Sequence, residues 1–177
     1  MGTITRVFEF DAAHRVMNEK VKCFNLHGHR FKVEATFAYK QKEALGYAID
    51  FKEIKRICGG FLDEFFDHAC ILNPLDKELI ALCKYNNWRL WVMGLGNKGD
   101  FNPSAENIAS ELWYCFRHFL WMEEHGVELV KLRLYETPNC WVEVTGYDYD
   151  SMSVFSHTLQ EWRLSKGNVC YDSRQDK

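Results

Sequence analysis

From His27 the chain alternates with a period of two: His27, His29, Phe31, Val33, Ala35 and Phe37 take one side, and Gly28, Arg30, Lys32, Glu34 and Thr36 the other. Successive side chains of an extended strand point to opposite faces, so this stretch is expected to be a half-buried strand with two histidines at its entrance. Two imidazoles on one face, with a side-chain-free glycine between them, can grip one metal ion. A second alternating run, Ile4 to Phe10, leads to His14. A hairpin-like return would bring the end of that strand beside His27 and His29, where three neutral nitrogens converge.

Three histidine ligands leave one tetrahedral position open, the arrangement of a catalytic zinc site and not of a closed structural one. Zinc there would act as a Lewis acid on a substrate oxygen. Cys23 lies four residues before His27. It is either a fourth, structural ligand or a thiol held beside the metal for proton transfer, and the spacing leaves both open.

The remaining elements follow from periodicity and punctuation. Asp50 is placed to cap a helix whose apolar positions are Phe51, Ile54, Cys58, Phe61, Leu62 and Phe65, with close packing or a kink expected at Gly59-Gly60. Asp67-His68 stands where that helix should end, before Asn73-Pro74 breaks the chain. Residues 76–84 read as a short helix and residues 88–93 as a strand, and Gly94, Gly96 and Gly99 mark a loop. Asn102-Pro103 opens a second long helix with Pro103 at its first position, and Ile108, Leu112, Cys115, Phe116, Phe119 and Leu120 form its core stripe. His118 and His125 read as surface residues. Val130, Leu132 and Leu134 alternate on one face of a strand, and Glu136 continues that face, a carboxylate where a core residue belongs. After Pro138-Asn139 a last strand runs from Cys140 to Tyr147, and Met152, Phe155, Leu159 and Trp162 are spaced as an amphipathic helix before a polar, frayed end from Gly167.

The order strand-strand-helix-(insert)-helix-strand-strand predicts an α+β domain, a four-stranded antiparallel sheet with two main helices on one face. A length of 177 residues suits one such domain. The net charge of -3 gives no reason to expect nucleic-acid binding, and no apolar run is long enough to span a membrane. With seven cysteines, an odd number, and no apolar signal segment at the N-terminus, the expected compartment is cytoplasmic.

Phe10-Asp11-Ala12-Ala13-His14-Arg15, Cys23 to His29, Ile49-Asp50-Phe51, Asp67-His68, Pro103-Ser104-Ala105-Glu106-Asn107 and Tyr135-Glu136-Thr137-Pro138-Asn139 together resemble the family of 6-pyruvoyl- and 6-carboxy-tetrahydropterin synthases. The resemblance runs from Thr3 to about Gly146. It implies a catalytic domain over 1–147 with an insert at about 74–101, and leaves 148–177 outside it as an extension that the spacing of its apolar residues reads as part helical. It also implies the tunnelling fold, in which sheets of several subunits join into a barrel, so the partner is a second copy of the chain in a homo-oligomer, a hexamer or another multiple of the trimer. The substrate it implies is a small-molecule pterin. Zn2+ would be held by His14, His27 and His29, Cys23 would work with Asp67 and His68 in catalysis, Glu136 would accept the ring's N3-H and 2-amino donors, and Ser104, where the family has threonine, would offer a substrate contact.

Within the family the carboxy-pterin branch places three residues between the cysteine and the His-x-His, as here. The resemblance therefore implies conversion of 7,8-dihydroneopterin triphosphate to 6-carboxy-tetrahydropterin, acetaldehyde and triphosphate, toward queuosine-type deazapurines. Its rivals are a pyruvoyl synthase, which eliminates triphosphate alone, and a non-enzymatic protein whose Cys23 closes the zinc site.

Overall fold

The computed structural model describes residues 1–94, 101–122 and 126–146, the backbone alone over 119–122. The loop at Gly96 and Gly99, His125, the apolar side chains Phe119 and Leu120, and the helix and frayed end expected beyond 147 lie outside the described residues.

The first two alternating runs form strands β1 (Gly2–His14) and β2 (His27–Tyr39). They pair antiparallel without interruption from Gly2 opposite Tyr39 to His14 opposite His27. Strands β5 (Val127–Thr137) and β6 (Cys140–Thr145) extend the sheet antiparallel from β2. These are the four strands of the expected antiparallel sheet.

The sheet, however, has six strands and is mixed, in the order β4-β3-β1-β2-β5-β6. Strand β3 (Ala69–Leu72) runs parallel to the end of β1, and β4 (Leu90–Val92) runs parallel to β3. The expectation of a purely antiparallel four-stranded sheet is thus corrected. A helix returns the chain beside β1 in the same direction, and a parallel strand covered on both faces reads as a continuous apolar run with no alternation. Ala69-Cys70-Ile71-Leu72 is such a run. The expected insert accordingly supplies a sheet strand, β4, together with helix α3 (Lys77–Tyr85), which is capped by the Asp76 carboxylate.

Helices α1 (Phe51–Ile54) and α2 (Gly60–Phe65) are joined through a π-helical turn, Lys55–Gly59, and the Asp50 side chain caps the first of them. A Cβ at Gly59 would sit 3.4 Å from the Phe8 ring, an ordinary contact, so the irregularity expected at Gly59-Gly60 is met by the π-helical turn. Phe51 stays 46% exposed and Ile57 joins the core in its stead. Helix α4 (Ala105–Met122) begins two residues after Pro103, not on it, with Ser104 Oγ accepting from the Asn107 amide as a cap. His118 is half-buried rather than a surface residue, and burial lowers its pKa.

Both helical segments share one core with the sheet, in which Phe10, Phe31, Phe61, Leu112, Phe116 and Leu132 are buried. The β2–β5 ladder slips at Thr36/Phe37, leaving Val130 as the extra residue, so Leu129 and not Val130 is buried with Leu132 and Leu134. A second slip, between Tyr135 and Thr137, leaves Glu136 outside the ladder.

Candidate functional site

The uninterrupted β1–β2 register decides the site. His14 stands opposite His27 and Ala12 opposite His29, which brings three imidazoles to one end of the hairpin. A ligand nitrogen from each lies within 4.8 Å of the other two. Ring centroids are 4.5 Å apart for His14 and His27, 5.2 Å for His14 and His29, and 5.0 Å for His27 and His29. Between the two histidines of β2, Gly28 suits the close pairing with β1, since a Cβ there would crowd the Ala12 carbonyl at 3.2 Å.

Hydrogen bonds to backbone oxygens orient two of the rings. His14 Nδ1 lies 2.7 Å from the Pro103 carbonyl, and His27 Nδ1 lies 2.7 Å from the Asn25 carbonyl. A carbonyl only accepts, so both Nδ1 atoms carry the proton and both Nε2 atoms present lone pairs. His14 Nε2 is buried with no hydrogen-bond partner. A buried unpaired acceptor is costly, and a metal ion at the centre of the three rings satisfies it. The donor set therefore fits a metal ion held by His14, His27 and His29 with a position left open.

Glu136 comes to the same place from β5, with Oε1 3.6 Å from His14 Nε2. Desolvation pushes the His14 pKa down, ahead of every neighbouring charge. The imidazole is therefore neutral, and this contact is a polar approach and not an ion pair. Its neutrality also suits metal ligation.

On the other side of His29, His68 follows α2 with φ 59°, a left-handed conformation uncommon for a residue with a side chain. Its amide donates to the Asp11 carbonyl. Asp67 Oδ2 accepts from His68 Nδ1 at 2.8 Å while Oδ1 accepts the Asp11 amide at 3.0 Å, so both carboxylate oxygens are committed and His68 Nε2 is the free nitrogen. Asp11 pairs with Arg30 through two hydrogen bonds, and that guanidinium holds the Asp11 pKa below the usual carboxylate range.

Two clefts meet at His29. One, of about 510 Å³, is lined by His29, Lys32, Tyr135 and Glu136 among others; the second, of about 460 Å³, by His29, Asp11, His68 and Cys70 among others. Gly28 and Arg30 line both. A ligand bridging them would meet the Glu136 carboxylate at one end, His29 in the middle and His68 at the other.

Cys23 sits exposed on a short 3-10 turn, Lys22–Phe24, in the loop joining β1 to β2. Its carbonyl accepts from the Val16 amide, and it is not part of the three-imidazole group. The same loop is fastened by Arg15, whose guanidinium makes two hydrogen bonds to the buried Asp76 carboxylate and lies 5.3 Å from the Phe24 ring. Ser104 caps α4, next to the carbonyl that orients His14. Sequence reasoning missed the orienting role of Pro103 and Asn25 because it rests on main-chain oxygens, and it missed Asp76 because its partner lies 61 residues away.

Residues 3–147 match the family model described as 6-pyruvoyl tetrahydropterin synthase. A relative from Rickettsia bellii, named 6-carboxy-5,6,7,8-tetrahydropterin synthase, is 41% identical over 140 residues, covering 79% of this chain and 97% of that protein. One of the same name from Haemophilus influenzae is 28% identical and covers 81% and 98% of the two chains. Among solved structures, an uncharacterized protein from Wolinella succinogenes superposes with a TM-score of 0.64 at 23% identity, covering 82% of this chain and 98% of the other. The 6-pyruvoyl tetrahydropterin synthase of Caenorhabditis elegans gives 0.58 at 23% identity, covering 82% and 95%; at such identities these two speak for the fold alone. With the model match spanning most of the chain and the three imidazoles gathered at the hairpin's end, this protein belongs to the 6-pyruvoyl tetrahydropterin synthase family.

Proposed function

We propose that the protein is a zinc-dependent 6-carboxy-5,6,7,8-tetrahydropterin synthase. It would convert 7,8-dihydroneopterin triphosphate to 6-carboxy-tetrahydropterin, acetaldehyde and triphosphate, acting as a carbon–carbon lyase in the supply of queuosine-type deazapurines. The observation that carries this reading is the metal-competent group of His14, His27 and His29 between the Glu136 carboxylate and the Asp67–His68 pair. The names of the relatives from Rickettsia bellii and Haemophilus influenzae support the carboxy branch over the pyruvoyl one.

When bound, zinc supplies a Lewis acid to the side-chain oxygens of the substrate and acidifies the neighbouring C–H. Glu136 holds the ring, its two oxygens accepting from N3-H and the 2-amino group. Cys23 Sγ takes a proton from the side-chain carbon, and His68 Nε2 exchanges a proton from the other side. Asp67 keeps His68 in the tautomer this needs. The Ser104 hydroxyl stays in the reading as a further substrate contact. A working Cys23 must be reduced, which suits a cytoplasmic setting; the six cysteines among the described residues are all free thiols. No helix among the described residues is long and apolar enough to cross a membrane. The reading includes a homo-oligomer, since among the described residues β4 and β6 end the sheet with edges that further copies can cover.

Incubation with dihydroneopterin triphosphate and identification of the products tests the function. Acetaldehyde and the 6-carboxy product are expected; the 6-pyruvoyl product without acetaldehyde would move the protein to the other branch, and unchanged substrate would leave a binding protein.

The ring anchor has its own test. Glu136→Gln turns one acceptor into an NH2 facing a donor, which loses a charged hydrogen bond worth about 1.5–3 kcal/mol, or roughly ten- to a hundredfold in affinity. Fluorescence titration with a pterin that lacks the triphosphate should read this loss at unchanged zinc content. Equal affinities in two folded, zinc-loaded proteins would remove Glu136 as the anchor.

A further inference from the structure

The loop over 15–26 connects two metal-ligand strands and carries Cys23, yet one of its main fastenings comes from far along the chain. Asn102 Oδ1 accepts the Met17 amide at 2.9 Å, and Asn102 Nδ2 donates to the Met17 carbonyl at 3.0 Å. The side-chain amide thus pairs with both main-chain groups of one residue, as a neighbouring strand would. Asn73 Nδ2 donates to the same Oδ1 at 2.9 Å, which fixes the amide with its oxygen toward two donors and its nitrogen toward a carbonyl. The Asn102 carbonyl accepts from the Ser104 amide and from Asn107 Nδ2, so the side chain is mounted on the start of α4.

Two neighbours make this arrangement more than a loop fastening. Pro103, the next residue, gives its carbonyl to His14 Nδ1, and Val16, just before Met17, donates its amide to the Cys23 carbonyl. The start of α4 therefore touches the metal-ligand end of β1 through one residue and the Cys23 loop through the residue before it.

We propose that Asn102 is a positioning residue for the reaction, setting Cys23 relative to the three imidazoles through Met17 and Val16 while leaving the ligands themselves in place. The inference rests on the reading of Cys23 as the base. Neither Asp nor Ser can replace the amide here. A carboxylate presents an acceptor to the Met17 carbonyl, and a hydroxyl is too short to form both arms of the fork.

The test uses the zinc-loaded Asn102→Asp protein, in which the Pro103 and Asn107 contacts can persist. Hydrogen exchange at the Val16 amide should be at least about tenfold faster than in wild type, with Phe31 and Leu132 amides unchanged. Zinc content should stay at the wild-type level. Turnover should show kcat reduced at least about tenfold with KM for dihydroneopterin triphosphate within about threefold, because the loop and not the ring anchor has moved. Unchanged Val16 exchange, equal acceleration throughout the sheet, or a change confined to KM would each overturn the proposal. Should the variant not fold, the wild type still decides: Val16 and Met17 amides should exchange as slowly as strand residues, and rates of an open loop would mean that no clamp exists. Full turnover in Cys23→Ala would instead remove the base reading, and the Val16 exchange rate would then judge Asn102 as loop anchor by itself.

Discussion

Replacing His27 or His29 by alanine is expected to strip the protein of zinc and of turnover together. Structural zinc sites bind with about 10–16 kcal/mol, which spread over four ligands is roughly 3 kcal/mol each, or about two orders of magnitude in Kd. These two positions give a cleaner measurement than His14, which is 1% exposed, so that its truncation would also hollow out the core. Metal analysis after dialysis against a weak chelator should find about one zinc per wild-type chain and almost none in either variant. Full occupancy in both variants would sink the ligand assignment. The folded state should survive the change, because both rings stand at the mouth of the site, half-buried, while Phe31, Val33, Ala35 and Phe37 carry the buried part of the same strand.

Cys23→Ala is expected to have the opposite profile: zinc retained, turnover lost. The thiol is exposed on its 3-10 turn and lies outside the three-imidazole group. Removing a general base costs about 10²–10⁴ in rate, and zinc content should not move. His68→Ala should give a loss of the same order, with zinc again retained, because its ring is held by Asp67 on the far side of His29. Metal content and kcat, measured on the same preparations, separate the possibilities. Zinc leaving with the Cys23 thiol would favour a closed four-ligand site and a protein without catalysis.

The hairpin and its histidines were legible because two alternating runs, Ile4 to Phe10 and His27 to Phe37, each fix a face, and two faces fix a register. Glu136 was legible as a carboxylate at the end of an alternating run, whereas the slip that takes it out of the ladder was not. The parallel strand Ala69–Leu72 was not legible, since it is too short and too uniformly apolar to show a period. Trp88 to Met93 read as a strand, but what it would pair with is a tertiary fact. The slip that buries Leu129 in place of Val130 shifts the period by one residue without any turn signal. Asn102 read only as a helix start, because a side chain that imitates a strand leaves no pattern in the sequence around it.

The three clustered histidines belong to a single hairpin, and only residues 15–26 must be looped out to set His14 against His27. Asp67 and His68 reach the same place only after the helical crossover is formed, and Glu136 only after α4 has returned the chain to β2. Loop-closure entropy rises with the length enclosed, and contacts distant in sequence slow folding. By this measure the site has two ages within the life of one chain. The hairpin alone sets the three imidazoles side by side, and the Pro103 carbonyl, the Asp67–His68 pair and Glu136 come to them across longer stretches of chain.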